Sequence, residues 1–405
     1  MTLPIPSAAD LSAPALPGRF VTVAVLLLAS MTIMSNATIA PSLPGLRAHF
    51  GATPGIETLS GLILTLPSLS IVLAAGLFGW MADRFDRRPL LIVAALLFAA
   101  GGASGLVAQT LPQMLVGRSI LGIGVAGTMT LALVWGADLW QGQARARFLG
   151  WQGASMSAGG IVVMLLGGVL ASLHWRGAFA VYLLAVPIAL VAMVALAPYN
   201  ARRQARAAEP VAQGVFPWGT FAFVGPLAFF FMATFYMMPT RLPFRLGDIG
   251  VHNTIVIGAV MACFTLAALP GSLNYGRMRQ HMSAMAVFAL SYGLMAVGFG
   301  VIALATGVGG TVVGVLIAGL GMGPSMPNYS TYFMGIVPPA LRGRASGLLT
   351  TAFFAGQFAS PLVSAPLVAR FGLPGGFAAL AVMLAAVACG LAVAASRGLP
   401  RDVLA

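Results

Sequence analysis

GWMADRFDRRP, residues 79–89, carries five charged side chains in eleven positions: Asp83, Arg84, Asp86, Arg87 and Arg88. The whole 405-residue chain is only 7% charged and 59% apolar, with a mean hydropathy of +0.96. A soluble domain is about 25% charged and about 45–50% apolar, so this chain has too few charges to coat a soluble surface of its size. It reads as a membrane protein, and the charged stretch reads as a loop between two membrane-crossing helices. Apolar runs lie on either side of it, near 57–80 and 89–109.

Working outward, a crossing helix needs roughly 20 mostly apolar residues. Ten further runs of that kind lie near 20–41, 112–136, 148–171, 177–197, 217–239, 252–274, 283–305, 309–334, 345–368 and 375–396. The polar interval YNARRQARAAEPVAQG follows the sixth span. The expected organisation is a tail over 1–18, a six-helix bundle over 19–198, a linker over 199–216, a second bundle over 217–396 and a tail over 397–405. An even number of spans puts both termini on one side.

Arginine supplies the orientation, because basic residues favour the cytoplasmic loops. All 21 basic residues are arginine. One set of ends holds Arg19, Arg84, Arg87, Arg88, Arg145, Arg147, Arg202, Arg203, Arg206, Arg277, Arg279, Arg342, Arg344, Arg397 and Arg401. The other holds Arg47, Arg176, Arg241, Arg245 and Arg370. The arginine-rich end, with the opening stretch and both termini, is expected in the cytoplasm. The net charge of +13 is therefore topological, and no nucleic-acid partner is expected. The first 18 residues contain Asp10 and no basic residue, unlike a signal peptide.

Chemistry-bearing constellations do not appear. Cys263 and Cys389 lie inside apolar runs, without a metal-ligand neighbour. The histidines His49, His174, His252 and His281 are scattered near span ends. Neither a metal nor a cofactor is expected, and no nucleophilic or metal centre suggests an enzyme.

The halves are related. Sliding the chain by 197 residues lays Gly79 on Gly276, and Gly117, Gly122 and Gly124 on Gly314, Gly319 and Gly321. It also lays Arg145 and Arg147 on Arg342 and Arg344, and Gly150 and Gly159 on Gly347 and Gly356. The fold class expected is all-α, with 12 transmembrane helices in two pseudo-symmetric six-helix bundles. Parallel repeats of this kind place a substrate site near the midplane, between the repeats.

GWMADRFDRRP resembles the cytoplasmic signature G-x-x-x-D-R-x-G-R-R of the major facilitator superfamily. Gly79, Asp83, Arg84, Arg87 and Arg88 match it, and Asp86 stands where the family has Gly. LVGRSILGIGVAG (115–127) resembles the family's R-x-x-x-G-x-G in span four through Arg118, Gly122 and Gly124. WRGAF (175–179) is similar to W-R-x-x-F, and GQFASP (356–361) is similar to span eleven of the 12-span drug:proton antiporter branch. The antiporter motif G-x8-G-x3-G-P-x2-G-G keeps Gly150, Gly159, Gly167 and Gly168, while Val163 and Met164 replace its Gly-Pro pair. The repeat overlay puts Ser360 and Pro361 at that place. The resemblance implies alternating access in a bacterial inner membrane, drug export as the direction, and a conformational role for the opening loop.

Each singled-out residue has a structural reading beside the functional one. Charge at the bilayer centre costs at least about 2.5–3.5 kcal/mol, so Arg118 is expected to face the interior. There it either bonds backbone carbonyls or serves the substrate and proton pathway. Asp83 either sits in a solvated loop or latches helix N-termini and nearby arginines in one state only, with Gly79, Arg84, Arg87 and Arg88. Asp138 is expected to cluster with Arg145 and Arg147. Gly122, Gly124, Gly159, Gly167 and Gly168 let helices approach closely, with Pro361 shaping span eleven. No acid lies mid-span, and Glu57, at the outer start of span two, is the nearest candidate for proton coupling. Asn36, Gln152, Tyr236, Asn328 and Gln357 are candidate cavity groups, and Met31, Met34, Met237, Met238 and Met326 a candidate adaptable lining. A cavity with one Arg and no acid disfavours cations and suits neutral or anionic amphiphiles. The function expected is proton-coupled export of small amphiphilic compounds by a monomer in the lipid bilayer. Uptake of a metabolite is the alternative, and a non-transporting sensor or scaffold the alternative of another class.

Overall fold

The computed structural model describes residues 17–51, 53–140, 142–199, 215–338 and 341–397. Most of the two tails and of the linker over 199–216 lies outside these, as do the side chains of Asn36, Glu57 and Arg145. The described chain is helical throughout: α1 (Arg19–Ala37), α2 (Leu43–His49), α3 (Ile56–Arg84), α4 (Arg87–Ala103), α5 (Leu111–Leu139), α6 (Gly142–Leu173) and α7 (Ala185–Leu196). The second half follows with α8 (Trp218–Phe235), α9 (Met237–Asp248), α10 (Thr254–Leu273), α11 (Tyr275–His281), α12 (Ala284–Leu304), α13 (Val308–Ile336) and α14 (Arg342–Ser396). Eleven apolar helical runs are long enough to cross a membrane. The last, α14, has 55 residues and a break at Gly372 (φ 71°, ψ 176°). At 1.5 Å per residue it is roughly 80 Å long, enough for two spans of a bilayer core about 30 Å thick. The total is twelve, as the apolar runs predict.

Local sequence sets the helix starts. Thr110 and Gln113 form a capping box at α5, Asn253 caps α10, and Ser283 caps α12. Asp86, the departure from the signature's glycine, is the N-cap of α4: its carboxylate accepts the Arg88 N–H at 3.0 Å. An acid at that position satisfies an orphan donor and meets the positive helix end.

The first span of each half is broken, which the apolar pattern did not predict. The expected ends at 41 and 239 are overrun: the first span continues through a 3-10 turn (Ala40–Ser42) into α2, and the seventh passes at Tyr236 from α8 into α9. Each break lies four residues before a proline, at Ala37 before Pro41 and at Phe235 before Pro239. Proline offers no N–H to the carbonyl four residues back, and its ring crowds that carbonyl. The 197-residue shift lays Phe235 on Thr38, so the two breaks fall within one residue of each other in the repeat.

Glycine pairs confirm the internal symmetry. A Cβ on Gly122 would strike the α3 backbone at Pro67, and one on its mate Gly319 the α10 backbone at Phe264. Gly124 packs on α4 at Phe98, and its mate Gly321 on α12 at Ser291. Gly159 rests on Ser30 of α1, and its mate Gly356 on Phe229 of α8. The two bundles use the same helix–helix seams.

Between the bundles, α6 meets α10 and α3 meets α14. These seams close at the arginine-poor end. The Thr254 hydroxyl donates to the Gly168 carbonyl at 2.9 Å, and Gly258 faces the Met164 carbonyl. Gly61 faces Pro361, and Arg47 lies 5.6 Å from the Phe244 ring centroid. Toward the arginine-rich end the seams part: a Cβ on Gly76, Gly79, Gly150, Gly153, Gly343 or Gly347 would meet nothing within 4 Å.

Candidate functional site

The broken first span leaves carbonyls at the end of α1 without helical partners. Arg118 of α5 reaches them. Its Nη2 donates to the Ser35 carbonyl at 2.6 Å and its Nε to the Ile63 carbonyl of α3 at 2.8 Å. The guanidinium lies 5.0 Å from the Tyr182 ring centroid, and the Tyr182 hydroxyl also donates to the Ser35 carbonyl, at 3.0 Å. A cation at a helix C-terminus meets the negative end of the helix dipole, which offsets part of the cost of burying it. The residue is only 1% exposed. Its Nη1 has no hydrogen-bond partner among the described residues. Arg118 therefore ties α1, α3 and α5 together through carbonyls.

The other candidates are distributed unevenly around this point. Tyr236 sits half-buried at the break between α8 and α9, its ring against Phe235. Asn36 belongs to the last turn of α1, at the other break. Gln152 is half-buried on α6. Gln357 of α14 is buried, with its Nε2 unpartnered among the described residues; so are the hydroxyls of Ser360 and of Ser68 on α3. Close by in the sequence, Thr65 of α3 donates to the Phe358 carbonyl of α14 at 3.4 Å, across the seam between the halves.

Asn328 is elsewhere. It is fully buried inside the second bundle, accepting from the Tyr275 hydroxyl at 3.1 Å and donating to the Ala284 carbonyl at 2.9 Å. Both bonds lie within the half, so Asn328 fastens α11 and α12 to α13 and is not a cavity group here. Met31, Met34, Met237 and Met238 are likewise buried, and only Met326 is partly exposed.

At the arginine-rich end, the Arg87 Nη1 donates to Asp138 Oδ2 at 2.7 Å, and the Arg88 Nη2 donates to the Ala197 carbonyl at 2.5 Å. Arg84 lies over the Trp80 ring at 4.5 Å. Asp138 thus joins Arg87, a partner its expected cluster omitted, while Arg147 is exposed. Asp83 is exposed and forms no ion pair among the described residues. The W-R pair works at the opposite end: Arg176 lies 4.8 Å from the Trp175 ring and donates to the Leu106 carbonyl at 3.0 Å.

Sequence reading missed two buried arginines. Arg241 and Arg245 were assigned to a loop, as topological charges, yet both are buried in α9. Arg245 donates to the Ala303 and Ala305 carbonyls that end α12. Arg241 donates to the Ser364 hydroxyl at 3.1 Å and to the Pro361 carbonyl at 3.4 Å on α14. Their four-residue spacing, which puts both on one helical face, was the available signal.

Two six-helix bundles with a polar site at paired helix breaks, closed at one end and parted at the other, define a secondary carrier. The family model of the Major Facilitator Superfamily matches residues 25–361 and 228–402, and the chain belongs to that superfamily. The sialic acid transporter NanX of Escherichia coli is 24% identical over 349 residues, 81% of this chain and 82% of that protein. The tetracycline resistance protein, class C, of Escherichia coli is 28% identical over 276 residues, 64% of this chain and 69% of that one. The crystal structure of a D-xylose-proton symporter superposes with a TM-score of 0.73 at 17% identity, covering 92% of this chain and 96% of that chain.

Proposed function

We propose that this carrier exports small neutral or anionic amphiphiles across a bacterial inner membrane, coupled to proton entry. Both termini would face the cytoplasm. The observation that carries the reading is the spare Nη1 donor of Arg118, buried beside the break in α1. A guanidinium offers several donors in a fixed fork. One holds the end of α1 at Ser35, one bonds the Ile63 carbonyl of α3, and a third would meet a substrate oxygen or a water in the proton pathway. The acids whose side chains are described (Asp83, Asp86, Asp138 and Asp248) lie at helix ends, so the cavity would repel cations. The export direction is supported by the span-eleven stretch GQFASP and by the tetracycline resistance relative. The opposite direction is the second reading, favoured by similarity to a sialic acid transporter over most of both chains.

The test is flux of a labelled panel of anionic, neutral and cationic amphiphiles in cells lacking their main efflux pumps, with and without a protonophore. Wild type is expected to lower accumulation of neutral and anionic compounds. Arg118→Ala and protonophore should each reverse this. Raised accumulation in wild type would replace export with uptake, and flux insensitive to protonophore would remove the proton.

A further inference from the structure

Arg344, in the first turn of α14, is held unlike its neighbours at the arginine-rich end. Its guanidinium lies 5.2 Å from the Phe216 ring centroid and 5.0 Å from that of Trp218. These two rings stand where the chain enters α8. Phe216 is buried, with Phe221 and Phe333 at centroid distances of 6.5 and 6.2 Å. Trp218 rests on Phe216 and Phe221. A cation beside two pinned rings is fixed in place by their quadrupoles. Yet Arg344 is exposed and forms no hydrogen bond or ion pair among the described residues. Its fork of N–H donors is positioned and has no oxygen to meet.

The charge around it has one sign. Arg342 is exposed one turn-start earlier on the same helix, while Arg277 donates to Asn274 and Arg279 to the Met282 carbonyl. Of the described acids, Asp83, Asp86 and Asp138 belong to the first half, and Asp248 ends α9 at the arginine-poor end. The surroundings also have an apolar side. Trp218 is 51% exposed, and Ala222, Phe223 and Pro226 are exposed beyond it along α8. A half-exposed indole at the head of an apolar stripe marks the level of lipid headgroups. An anion at that level, next to acyl chains, is a phospholipid phosphate, and a guanidinium fork matches phosphate geometry. Repeat symmetry does not account for the platform. Arg344 falls on Arg147, but Phe216 and Trp218 fall on Arg19 and Val21.

We propose that Arg344, on its platform of Phe216 and Trp218, binds the phosphate of an anionic phospholipid in the leaflet at the arginine-rich end. The lipid joins the starts of α8 and α14, with its chains along the exposed stripe of α8. The site is separate from Arg118 and depends on no substrate, direction or coupling ion.

The test is native mass spectrometry of the delipidated full-length protein, titrated with phosphatidylglycerol or with phosphatidylcholine of the same chains. Wild type should bind the first phosphatidylglycerol more tightly than the first phosphatidylcholine. Arg344→Gln should weaken that step about fivefold, the worth of one basic residue near a membrane surface. Arg344→Lys keeps the charge without the fork and should fall between the two. Trp218→Leu should weaken it about two- to fivefold through loss of a ring contact. Arg147→Gln, which removes an exposed arginine without a platform, should leave the step unchanged. Thermal melting of each variant checks folding, and Trp218→Leu and Arg344→Lys carry the test if Arg344→Gln melts early. Unchanged binding in Arg344→Gln, an equal loss in Arg147→Gln, or no preference for phosphatidylglycerol would overturn the site. Soluble glycerol phosphate displacing the lipid at equal concentration would overturn the lipid as its occupant. Flux is not read, so the lipid site and the transport reading can fail separately.

Discussion

The same four helices, α3, α6, α10 and α14, behave differently at their two ends. At the arginine-poor end they are in contact, with small residues at the seams: Gly168 against the start of α10, Gly258 against Met164, Gly61 against Pro361. At the arginine-rich end the glycines on α3, α6 and α14 meet open space. That end carries Arg84, Arg147, Arg277, Arg342 and Arg344, and like charges brought together repel unless acids intervene. The small residues make one closure cheap. Asp83, Asp86 and Asp138 are the described acids at that end. The lesson is that the two gates of one carrier need not be built from the same physics, even in a chain with a clear internal repeat.

This contrast can be broken most severely at Gly168. A Cβ there would stand 2.8 Å from the Thr254 carbonyl oxygen, and backbone cannot yield as a flexible side chain does. Gly168→Leu should cut flux more than tenfold while the protein still inserts and elutes as a folded species. Normal flux in that variant would mean the seam does not close during transport. Next in size is Arg118. Arg118→Ala leaves the Ile63 carbonyl without this donor, at about 1–3 kcal/mol for a buried unsatisfied group, while the Ser35 carbonyl keeps the Tyr182 hydroxyl. Arg118→Lys supplies a single cationic head in place of a fork. Thermal unfolding of the detergent-purified protein should fall in the order wild type, Arg118→Lys, Arg118→Ala; equal midpoints would show that the carbonyl bonds contribute nothing.

Smaller effects sharpen the comparison. Thr254→Val removes the cross-half hydrogen bond to Gly168, worth about 0.5–1.5 kcal/mol. The ratio of closed to open at the arginine-poor end should drop by about two- to tenfold, read by distances between spin labels at Ala48→Cys and His252→Cys, with Cys263 and Cys389 replaced by serine. The Arg87–Asp138 pair is smaller still, because the Asp138 side chain is 39% exposed and solvent screens it. Asp138→Asn should change stability by about 0–1 kcal/mol, checked by denaturant unfolding. Gly150→Ala, in open space, should be neutral or slightly stabilising by helix propensity. If it instead slows flux, Gly150 meets a partner when the arginine-rich end closes.

Much of the architecture was legible in the sequence. Apolar runs of crossing length gave the spans, and the 197-residue repeat correctly paired Gly122, Gly124 and Gly159 with mates on equivalent seams. The site was less legible. Arg118 announced itself as a lone charge in a span, but its partners are backbone carbonyls, which carry no sequence signal. The Ser35 carbonyl lies at the break of the first span before Pro41, the Ile63 carbonyl lies four residues before Pro67 inside α3, and an apolar window is blind to both. Arg241 and Arg245 were counted as loop charges because the apolar run of the seventh span ends near 239, whereas the helix resumes as α9 and turns both arginines inward. Asn328 looked like a cavity group because a kinked, polar stretch lies beside Pro327. It is consumed by neighbours far away in the chain, a fact only the packing reveals.

The most direct test of alternation is a reversible lock on the closed seam. Gly61→Cys and Pro361→Cys, in the background without Cys263 and Cys389, would place two thiols at a seam where a Cβ on Gly61 would stand 2.7 Å from the Pro361 Cβ, so a shift of about 1 Å gives the separation of a disulfide. The account predicts that oxidation to the disulfide stops flux and that reduction restores it. Undiminished flux through the oxidised protein would contradict it, because a substrate would then be crossing without the arginine-poor end ever opening.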